Sequence, residues 1–419
     1  MKVLVIGGGG RENALSYSLS ISPLLKELYV APGNAGIRKI GEEVPIKAED
    51  IESLLKFAKD KKIDLVVVGP EIPIVNGIRN IFEKEGIAVF APRKEVSFLE
   101  GSKVRAKEIL KKYGIPTAEH RSFSNFEEAK NYIEKIDGPY VIKANGLAAG
   151  KGVSILEKRD DAIRTLEEYM IDGKFGESSR KVVIEEFLKG KELSLFVVSD
   201  GDSWKFIGDA KDYKRLYDND KGPNTGGMGS ISPVPFINDN KRDIIFERIV
   251  EPTFYALRRE NLRYEGVLYF GLIWTDKCPM VLEYNVRFGD PETQVLVLRY
   301  DFDLLELFLR TVEGELKDFN PKLKDKYAVT VILASRGYPG EYEKGFEIVG
   351  IDEAKKLDRV FVFHAGTVIK DSKILTNGGR VLNVCGIGDT LSEARERAYR
   401  GVKEIKFNGM HYRKDIGLR

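Results

Sequence analysis

Short apolar runs alternate with amphipathic stretches along the first hundred residues. Runs rich in β-branched residues predict strands at 2–6, 27–30, 64–68 and 88–90. Apolar residues at helical spacing predict helices at 12–20, 51–61 and 74–85. A regular alternation of strands and helices is typical of a parallel sheet with helices on both faces. We therefore expect an α/β domain in this part of the chain.

The same patterns predict two further groups of elements. In the central part they are a basic helix at 102–113, strands near 140–143, 152–156 and 182–187, a loop at 212–233 and helices at 239–260 and 301–325. After a polar linker they are strands at 328–334, 360–364 and 380–386 and a helix at 391–405. We expect three domains, at 1–100, 101–326 and 327–419, and a small mobile subdomain at about 117–192 within the second.

Composition narrows the class of protein. The chain has 419 residues, a formal net charge of +2, two cysteines and three histidines. So small a net charge gives no long-range attraction to nucleic acid or to a membrane surface. Cys278 and Cys385 lie far apart without CxxC spacing, which argues against a disulfide framework or a zinc site. No apolar run is long enough for a membrane span or a signal peptide, so we expect a cytoplasmic protein that binds neither nucleic acid nor membrane.

The stretch LEYNVRFGDPETQ at 282–294 carries the most informative polar pattern. Alternate side chains of a strand share one face, so Glu283, Asn285 and Arg287 are predicted to lie side by side. Hard oxygen ligands beside a fixed cation suit a magnesium-bound polyphosphate. The following turn supplies two further carboxylates, Asp290 and Glu292. The alternative is a solvated edge strand, but the intervening apolar residues predict a buried opposite face.

Four consecutive glycines at 7–10 follow the first predicted strand. A dinucleotide fingerprint would have its third glycine where Glu12 stands and an acidic residue at the end of the second strand. Both are missing, which disfavours NAD, although the start of a helix still suits an anion. A tight turn without a ligand is the alternative. Arg11 and Glu12 indicate a polar substrate, and two further turns at strand ends, 32–36 and 69–77, lie where open sheets bind ligands.

Three later segments have the composition of ligand-binding loops. Segment 143–155 is one residue too short for a P-loop, yet its glycines with Lys143 and Lys151 suit a cover over phosphates. In 182–194, the backbone after Glu185 and Glu186 suits an adenine edge, and Glu192 suits ribose hydroxyls. The predicted loop 212–233 holds four glycines and suits a substrate cradle or lid. Its candidate substrate residues are Asp212, Lys214, Asn224 and Met228. Each segment has an alternative without a ligand. Segment 143–155 could be a plain hairpin, 182–194 an ordinary strand–turn–strand, and 212–233 a disordered surface loop.

Taken together and in order, these motifs resemble the ATP-grasp superfamily and, more narrowly, the phosphoribosylamine–glycine ligase family. The resemblance covers essentially the whole chain. Its motifs are GGGGRENAL, PGN, VGPEIP, GSKVRAKE, IKANGLAAGKGV, IEEFLKGKE, KGPNTGGMGSISP, LEYNVRFGDPETQ, LASRGYPG, FHAGT, TNGGRVLNV and YRKDIG. This chain departs from the usual family pattern at Asn145, where Asp is usual, and at Tyr213, where His is usual.

The resemblance implies an α/β fold with an N-terminal Rossmann-like parallel-sheet domain, a central ATP-grasp domain with a small mobile subdomain, and a C-terminal α/β domain. It also implies a carbon–nitrogen ligase of de novo purine biosynthesis. ATP would phosphorylate glycine to glycyl phosphate, and the nitrogen of 5-phosphoribosylamine would then displace phosphate to give glycinamide ribonucleotide. Mg²⁺ or Mn²⁺ would accompany the ATP, and we expect a monomer.

The resemblance also distributes roles among the candidate residues. Glu283 and Asn285 would hold the metal, and Arg287 and Lys151 would be catalytic. ATP would contact Lys103, Lys143, Lys151, Glu185, Glu186, Leu188 and Glu192. The other substrates would contact Gly9, Arg11, Glu12, Asn34, Glu71, Asp212, Lys214, Asn224, Met228, Arg287, Asp290 and Glu292.

Three alternative functions stay open from sequence alone. The chain could be another ATP-dependent ligase, with a different amine or bicarbonate as co-substrate, and substrate-dependent ADP release would separate these. It could be a nucleotide-binding regulatory module, but such a module would have damaged phosphate-site residues, and here Glu283, Asn285 and Arg287 are present. An NAD-dependent oxidoreductase is weakened by Glu12 and by the missing ribose-binding acid.

Overall fold

The N-terminal part of the computed structural model is a five-stranded parallel sheet flanked by helices. The structure describes residues 1–148 and 152–418. The elements of this part are β1 (Lys2–Gly7), α1 (Gly10–Ser20), β2 (Glu27–Pro32), β3 (Glu42–Glu43), α2 (Ile51–Lys61), β4 (Leu65–Val68), α3 (Glu71–Val75), α4 (Ile78–Glu83) and β5 (Ala88–Phe90). The strand order is β3-β2-β1-β4-β5, and every neighbouring pair is parallel. The predicted α/β alternation is confirmed.

The single helix predicted at 74–85 is wrong, because two short helices, α3 and α4, occupy this region. Gly77 separates them with a φ of 83°, in the left-handed region that glycine adopts without strain. Its apolar neighbours keep helical spacing on both sides, which is why the periodicity alone suggested one helix.

A small antiparallel sheet follows, and we call residues 120–185 the small subdomain. The elements leading to and forming it are α5 (Phe98–Gly101), α6 (Lys103–Lys112), β6 (His120–Phe123), α7 (Phe126–Ile133), β7 (Tyr140–Ala144), β8 (Val153–Leu156), α8 (Arg159–Met170) and β9 (Val182–Glu185). Its four strands have the order β6-β9-β7-β8. Residues such as Ile133, Ile142 and Leu166 give it a hydrophobic core of its own.

A nine-stranded sheet connects the central and C-terminal parts. The remaining central elements are β10 (Lys191–Asp200), β11 (Trp204–Asp212), β12 (Arg215–Tyr217), β13 (Lys221–Asn224), β14 (Gly229–Ser232), α9 (Asp239–Ile245), α10 (Glu251–Arg259), β15 (Glu265–Trp274), β16 (Pro279–Asn285), α11 (Glu292–Arg299) and α12 (Leu304–Glu313). The C-terminal elements are β17 (Tyr327–Ser335), α13 (Ile351–Lys356), β18 (Val360–His364), β19 (Thr367–Lys370), β20 (Lys373–Thr376), β21 (Arg380–Gly388), α14 (Leu391–Glu404) and β22 (Met410–His411). The sheet order is β16-β15-β10-β11-β14-β17-β21-β18, with β22 beside β17.

Two predictions in the central part are corrected. The segment 212–233 is not one long loop, since it contains the β12–β13 hairpin and then β14. Strand β14 is paired on both sides, by β11 and by β17, and these distant partners override its glycine-rich sequence. The helix predicted at 301–325 ends earlier: α12 stops at Glu313, because Gly314 adopts a left-handed φ of 75° that caps the helix.

The N-terminal sheet and the central sheet share their hydrophobic cores. Successive residues of a strand face opposite sides, and a parallel sheet covered on both faces buries both. Leu4 belongs to one core together with Leu195 of β10, and Val3 belongs to a second core together with Phe196. The N-terminal sheet is therefore packed as one body with the central sheet, and the site lies along their junction. No helix within residues 1–148 and 152–418 is long and apolar enough to cross a membrane.

Candidate active site

The polar residues of LEYNVRFGDPETQ lie at the end of β16, on the edge of the nine-stranded sheet. Tyr284 and Val286 point into the hydrophobic core, which is the predicted buried face. On the other side, Arg287 donates from Nη2 to Oδ1 of Asn285 at 3.2 Å. The metal-ligand candidate Asn285, at the end of β16, and the cationic candidate Arg287, two residues beyond it, therefore face the same space.

The carboxylate of Glu283 faces a group of cations. Burial alone would raise the pKa of Glu283, but neighbouring positive charges outweigh it and hold the pKa below its usual range. These charges belong to Lys214, Lys143, Lys103 and Arg287. Within the described residues, the carboxylate makes no hydrogen bond or ion pair of its own. An ionised carboxylate with free oxygen lone pairs beside an amide oxygen fits a hard divalent cation.

Arg287 is held by two carboxylates from other elements. Its Nη2 lies 3.0 Å from Glu100 of α5, and its Nε lies 3.3 Å from Glu71 of α3. Burial opposes the charge, yet Glu100 and Glu71 together keep the pKa of Arg287 above its ordinary value. The guanidinium is therefore permanently charged and fixed in direction, which suits a group that stabilises developing negative charge.

Two buried lysines share one carboxylate where the small subdomain meets α6. Lys143 and Lys107 lie 3.0 Å and 3.2 Å from Oε2 of Glu185, and all three side chains are buried. Burial lowers the pKa of Lys107 to about 8 in spite of this partner. For Glu185, burial would raise the pKa, but the two lysines overcome it and lower the pKa. Lys143 also donates to the Leu282 carbonyl at 3.1 Å, which fixes its ammonium beside β16.

Asn145 connects the small subdomain to the start of α6. Its Oδ1 accepts from the Val104 backbone N–H at 2.9 Å and from the Ser102 hydroxyl at 3.1 Å. Its carbonyl accepts from the Lys103 backbone N–H at 2.9 Å. The Lys103 ammonium in turn donates to the Gly146 carbonyl at 3.2 Å, and burial lowers its pKa. The start of α6 therefore needs an oxygen acceptor at position 145. The side-chain amide of Asn145 supplies this oxygen, and an Asp carboxylate would supply it too.

The predicted nucleotide residues after β9 lie at the edge of this lysine group. The Glu186 backbone N–H donates to the Glu119 carbonyl at 2.9 Å, so it is already used within the protein. The Glu186 side chain is exposed, and Leu188 is half-buried. Glu192 pairs with Lys214 at 3.0 Å, which brings β10 next to the segment after β11. Lys151, predicted to cover the phosphates, lies outside the described residues.

Asp212 and Glu292 form a second acidic group further into the site. Asp212 has a fully buried Oδ1 without a hydrogen-bond partner among the described residues. Burial, and then the charge of Glu292, raise the pKa of Asp212 well above its usual value. Glu292 accepts at Oε1 from the Tyr269 hydroxyl at 2.9 Å and from the Ser194 hydroxyl at 3.4 Å. Two carboxylates that repel each other in a buried space favour a cation between them.

The N-terminal glycine turn is filled by its own side chains. Glu12 accepts from the Gly9 N–H at 2.6 Å and pairs with Arg11 at 2.7 Å. A Cβ placed on Gly7 or Gly69 would lie 2.5 Å or 2.1 Å from the Glu12 side chain, so these turns have room only for glycine. Arg11 also donates to the Phe288 carbonyl at 2.8 Å. Arg11, paired with Glu12, therefore joins this turn to the segment that follows β16.

The side chain of Asn34 is likewise used inside the protein. Its Nδ2 donates to the carbonyls of Gly8 at 3.0 Å and His364 at 3.0 Å, and its Oδ1 accepts from the Gly36 N–H at 3.0 Å. Met228 is fully buried in a small apolar cluster with Leu216 and Ala334. Among the described residues, neither side chain lines the cavities of about 390 Å³ and 870 Å³, and a substrate contact of either residue stays a prediction.

Sequence reasoning missed the contribution of the C-terminal domain. Arg380 lies 3.2 Å from Oδ2 of Asp290, donates to the Asp290 carbonyl at 2.7 Å and donates to the Gly226 carbonyl. These groups border a cavity of about 390 Å³ between the N-terminal glycine turn and the C-terminal domain. A wider cleft of about 870 Å³, which Asn224 lines, lies between β8 and the C-terminal domain. In the sequence, Arg380 is marked only by the TNGGR motif, in which a cationic residue follows two glycines.

Comparisons with known proteins agree over the whole length. Family models of phosphoribosylglycinamide synthetase match as its N domain at residues 1–100, its ATP-grasp (A) domain at 101–293 and its C domain at 328–419. The phosphoribosylamine–glycine ligase of Caldanaerobacter subterraneus subsp. tengcongensis is 49% identical over 416 residues, which covers 99% of each chain. That of Halalkalibacterium halodurans is 44% identical over 419 residues, covering all of this chain and 96% of the relative.

Solved structures show the same relationship. The crystal structure of phosphoribosylamine–glycine ligase from Thermotoga maritima superimposes with a TM-score of 0.87 at 39% identity and covers 99% of this chain and 100% of that one. The biotin carboxylase domain of Hydrogenobacter thermophilus 2-oxoglutarate carboxylase, solved with MgADP and bicarbonate, has a TM-score of 0.74 at 17% identity. It covers 98% of this chain and 91% of that one, and at this identity the likeness concerns the fold alone.

Proposed function

The chain belongs to the phosphoribosylglycinamide synthetase family, and we propose that its three domains build one site for joining glycine to 5-phosphoribosylamine. The protein is an ATP-dependent carbon–nitrogen ligase of purine biosynthesis, and its products are glycinamide ribonucleotide, ADP and phosphate. The observation that best supports the assignment is the Glu283 carboxylate, ionised and without a hydrogen-bonding or ion-pairing partner among the described residues, facing Lys103, Lys143, Lys214 and Arg287.

We assign the metal position to Glu283 and Asn285. Within the described residues, no group of three His, Cys, Asp or Glu side chains could hold a metal ion without other ligands. Two protein oxygens with the remaining positions taken by phosphate and water is the usual arrangement for Mg²⁺ in a nucleotide site. When bound, the metal would draw charge from the ATP phosphates. Mg²⁺ is our choice, with Mn²⁺ as the substitute.

We assign ATP to the region where the small subdomain approaches β16. The positive charges of Lys143 and Lys103 both act on Glu283 there, and Lys143 forms an ion pair with Glu185. The roles given to Lys151, Glu186, Leu188 and Glu192 remain predictions from the resemblance. The domain limits at 100 and 326, a monomeric state and a cytoplasmic location also remain predictions.

We assign glycine to the space between Arg287 and the Asp212–Glu292 pair. The ammonium group of glycine would neutralise two carboxylates that otherwise repel each other, and its carboxylate would lie toward Arg287. Lys214 lies near both assigned positions, because its positive charge interacts with Asp212 and with Glu283. The buried Oδ1 of Asp212 would then gain the hydrogen bond that it lacks.

We assign 5-phosphoribosylamine to the 390 Å³ cavity beside Gly8 and Gly9. Arg11, Glu12 and Asn34 would fix the turn that forms one wall of this cavity, and Asp290 would form another. Glu71, which pairs with Arg287, connects this N-terminal wall to the phosphoryl-transfer side. The two substrates would thus meet next to the turn that follows β16.

The reaction needs positioning and charge stabilisation, and no nucleophile from the protein. The glycine carboxylate attacks the γ-phosphorus of ATP, ADP leaves, and glycyl phosphate forms. The nitrogen of 5-phosphoribosylamine then attacks the carbonyl carbon, loses a proton as the amide forms, and displaces phosphate. Arg287, fixed by Glu100 and Glu71, would stabilise negative charge in both steps.

The assignment is tested by ADP release with each substrate omitted in turn. A coupled assay with ATP, Mg²⁺, glycine and freshly prepared 5-phosphoribosylamine should release ADP only when all are present. Replacing glycine by other amino acids or bicarbonate should abolish release, which separates this function from that of other ligases with the same fold. ADP release that is independent of glycine and amine would exclude the proposal.

A further inference from the structure

Arg380 holds together two segments that are far apart in the chain. It stands at the first position of β21 in the C-terminal domain. Its Nη1 donates to the carbonyls of Asp290 and Gly226, and its Nη2 lies 3.2 Å from the Asp290 carboxylate. One planar guanidinium therefore bonds to the turn after β16 and to the glycine-rich segment before β14 at the same time.

A second C-terminal residue supports the same contact. Gly226 donates its backbone N–H to the Tyr338 hydroxyl at 2.9 Å. A Cβ on Gly226 would lie 3.1 Å from that hydroxyl and 3.2 Å from the Arg380 guanidinium carbon, so a glycine allows the close approach. Both backbone polar groups of Gly226 are thus held by the C-terminal domain, one by Tyr338 and the other by Arg380.

The position of Asp290 matters because this residue faces the N-terminal glycine turn. A Cβ on Gly9 would lie 3.2 Å from Asp290 Oδ2, which places the carboxylate directly against that turn. Gln294 also donates to Asp290 Oδ1 at 2.9 Å and to Asn383 of β21 at 3.1 Å. Asp290 is therefore oriented by Arg380 and Gln294, and it also lies close to the positive charge of Arg11.

Of the described residues that line the 390 Å³ cavity, Asp290 and Arg380 are the charged ones. We propose that Arg380 is a positioning residue for the amine acceptor: it fixes Asp290 and Gly226 as two walls of the acceptor cavity. This inference rests on the proposed function, because it takes the cavity as the site of 5-phosphoribosylamine. It gives the C-terminal domain a part in acceptor binding and none in ATP binding.

The proposal predicts a selective effect on the acceptor. In Arg380→Gln the amide cannot bridge both segments, so the KM for 5-phosphoribosylamine should rise at least about tenfold, the loss of one charge-assisted hydrogen bond. The KM values for ATP and glycine should stay within about twofold of the wild type. Arg380→Lys keeps the charge near Asp290 but cannot also hold Gly226, so its KM for the acceptor should be intermediate. Tyr338→Phe, which removes one hydrogen bond to Gly226, should show a smaller rise.

The controls separate this inference from folding and from the proposed function. Arg400→Gln changes an exposed arginine of α14 in the same domain and should leave all three KM values unchanged. Thermal unfolding with and without ATP shows whether each Arg380 variant is folded and binds nucleotide. Wild-type protein that fails to ligate glycine would overturn the proposed function. Active wild type with an unchanged acceptor KM in Arg380→Gln, or with all KM values raised equally, would overturn only the role of Arg380.

Discussion

The guanidinium of Arg287 lies 3.0 Å from the carboxylate of Glu100, which joins the end of β16 to helix α5. Glu71 approaches the same guanidinium at 3.3 Å from the N-terminal domain. A single cation that follows β16 is thus held by two carboxylates of residues 1–100, the part of the chain that matches the N domain. The orientation of the Arg287 guanidinium depends on its simultaneous contacts with Glu71, Glu100 and Asn285. Substitutions that remove some of these contacts can test their effect on catalysis.

Arg287→Lys should lower kcat by about a hundredfold, because one ammonium group cannot contact Glu71, Glu100 and Asn285 together or present a flat cation to the transferring group. The KM for ATP should change little. Steady-state ADP release measures both parameters. Arg93→Lys, an exposed arginine 3.0 Å from Glu83, is the matched control. A kcat close to that of the wild type would show that Arg287 is structural.

Glu283→Ala should remove nearly all turnover, because it deletes the one acidic metal ligand that we propose. The cations that face Glu283 would also lose their counter-charge, so thermal stability should fall. Glu313→Ala, at the exposed end of α12, is the control and should behave as the wild type. Activity is measured across a Mg²⁺ titration, and near-normal Mg²⁺-dependent turnover in Glu283→Ala would rule out the metal assignment.

Asp212→Asn should stabilise the protein while weakening glycine binding. The pKa of Asp212 is raised by burial and by Glu292, so at neutral pH keeping this carboxyl in the folded state costs stability, and the neutral amide removes that cost. The gain in melting temperature should shrink as pH falls toward the ordinary pKa of aspartate, where folded and unfolded chains are both protonated. Glycine should raise the melting temperature of the wild type only. A variant with an unchanged KM for glycine would contradict the subsite.

Asn145→Ala should cost about 1 kcal/mol of stability, because the Val104 N–H in the first turn of α6 loses its acceptor. It should also raise the KM for ATP, because Lys103 begins that helix. Asn145→Asp keeps the oxygen acceptor and adds a negative charge at a helix start, which is favourable. We therefore expect Asn145→Asp to match the wild type in activity and to equal or exceed it in melting temperature. Loss of activity in Asn145→Asp would mean that the amide itself is required.

His364 should make the protein sensitive to acid. Burial, reinforced by the charges of Lys355 and Lys39, lowers the pKa of His364 from 6.5 to about 3, with Asp352 opposing only weakly. Between these two values the unfolded chain takes up a proton that the folded chain refuses, so stability falls as pH decreases through that window, by up to about 1.4 kcal/mol per pH unit. The free energy of unfolding, measured by urea titration at pH values from 7 to 4, should fall less steeply with decreasing pH in His364→Gln than in the wild type. Parallel slopes would contradict the assignment.

The local parts of the site could be predicted from sequence. The alternation placed Asn285 and Tyr284 on opposite faces because a strand has a fixed period of two. The strand ends at Asn285, yet Arg287 still reaches Asn285 from the segment that follows. The N-terminal alternation of strands and helices gave the parallel sheet for a similar reason. In both cases the information lies within a few neighbouring residues.

The contacts between distant segments could not be predicted in this way. Arg380 reaches Asp290 across 90 residues, and Asn34 reaches His364 across 330, so both contacts depend on how the domains pack. Strand β14 was taken for part of a loop because its partners, β11 and β17, are what make it a strand. The close approach of Gly69 to the Glu12 side chain also joins distant parts of the chain and could not be predicted, whereas a substrate contact of Glu12 stays a prediction.

The pairing of β14 with β17 has a consequence for dividing the protein. Gly229–Ser232 pairs with Ala328 to Val331, so the sheet runs directly across the expected limit at 326. A chain cut there would expose the unpaired hydrogen-bonding edge of β14 together with the buried side chain of Ile231. Bare edges of this kind pair with other chains and lead to aggregation. The C-terminal domain therefore covers the edge of β14 and protects the rest of the molecule from aggregation. The central and C-terminal domains should be expressed together as one polypeptide.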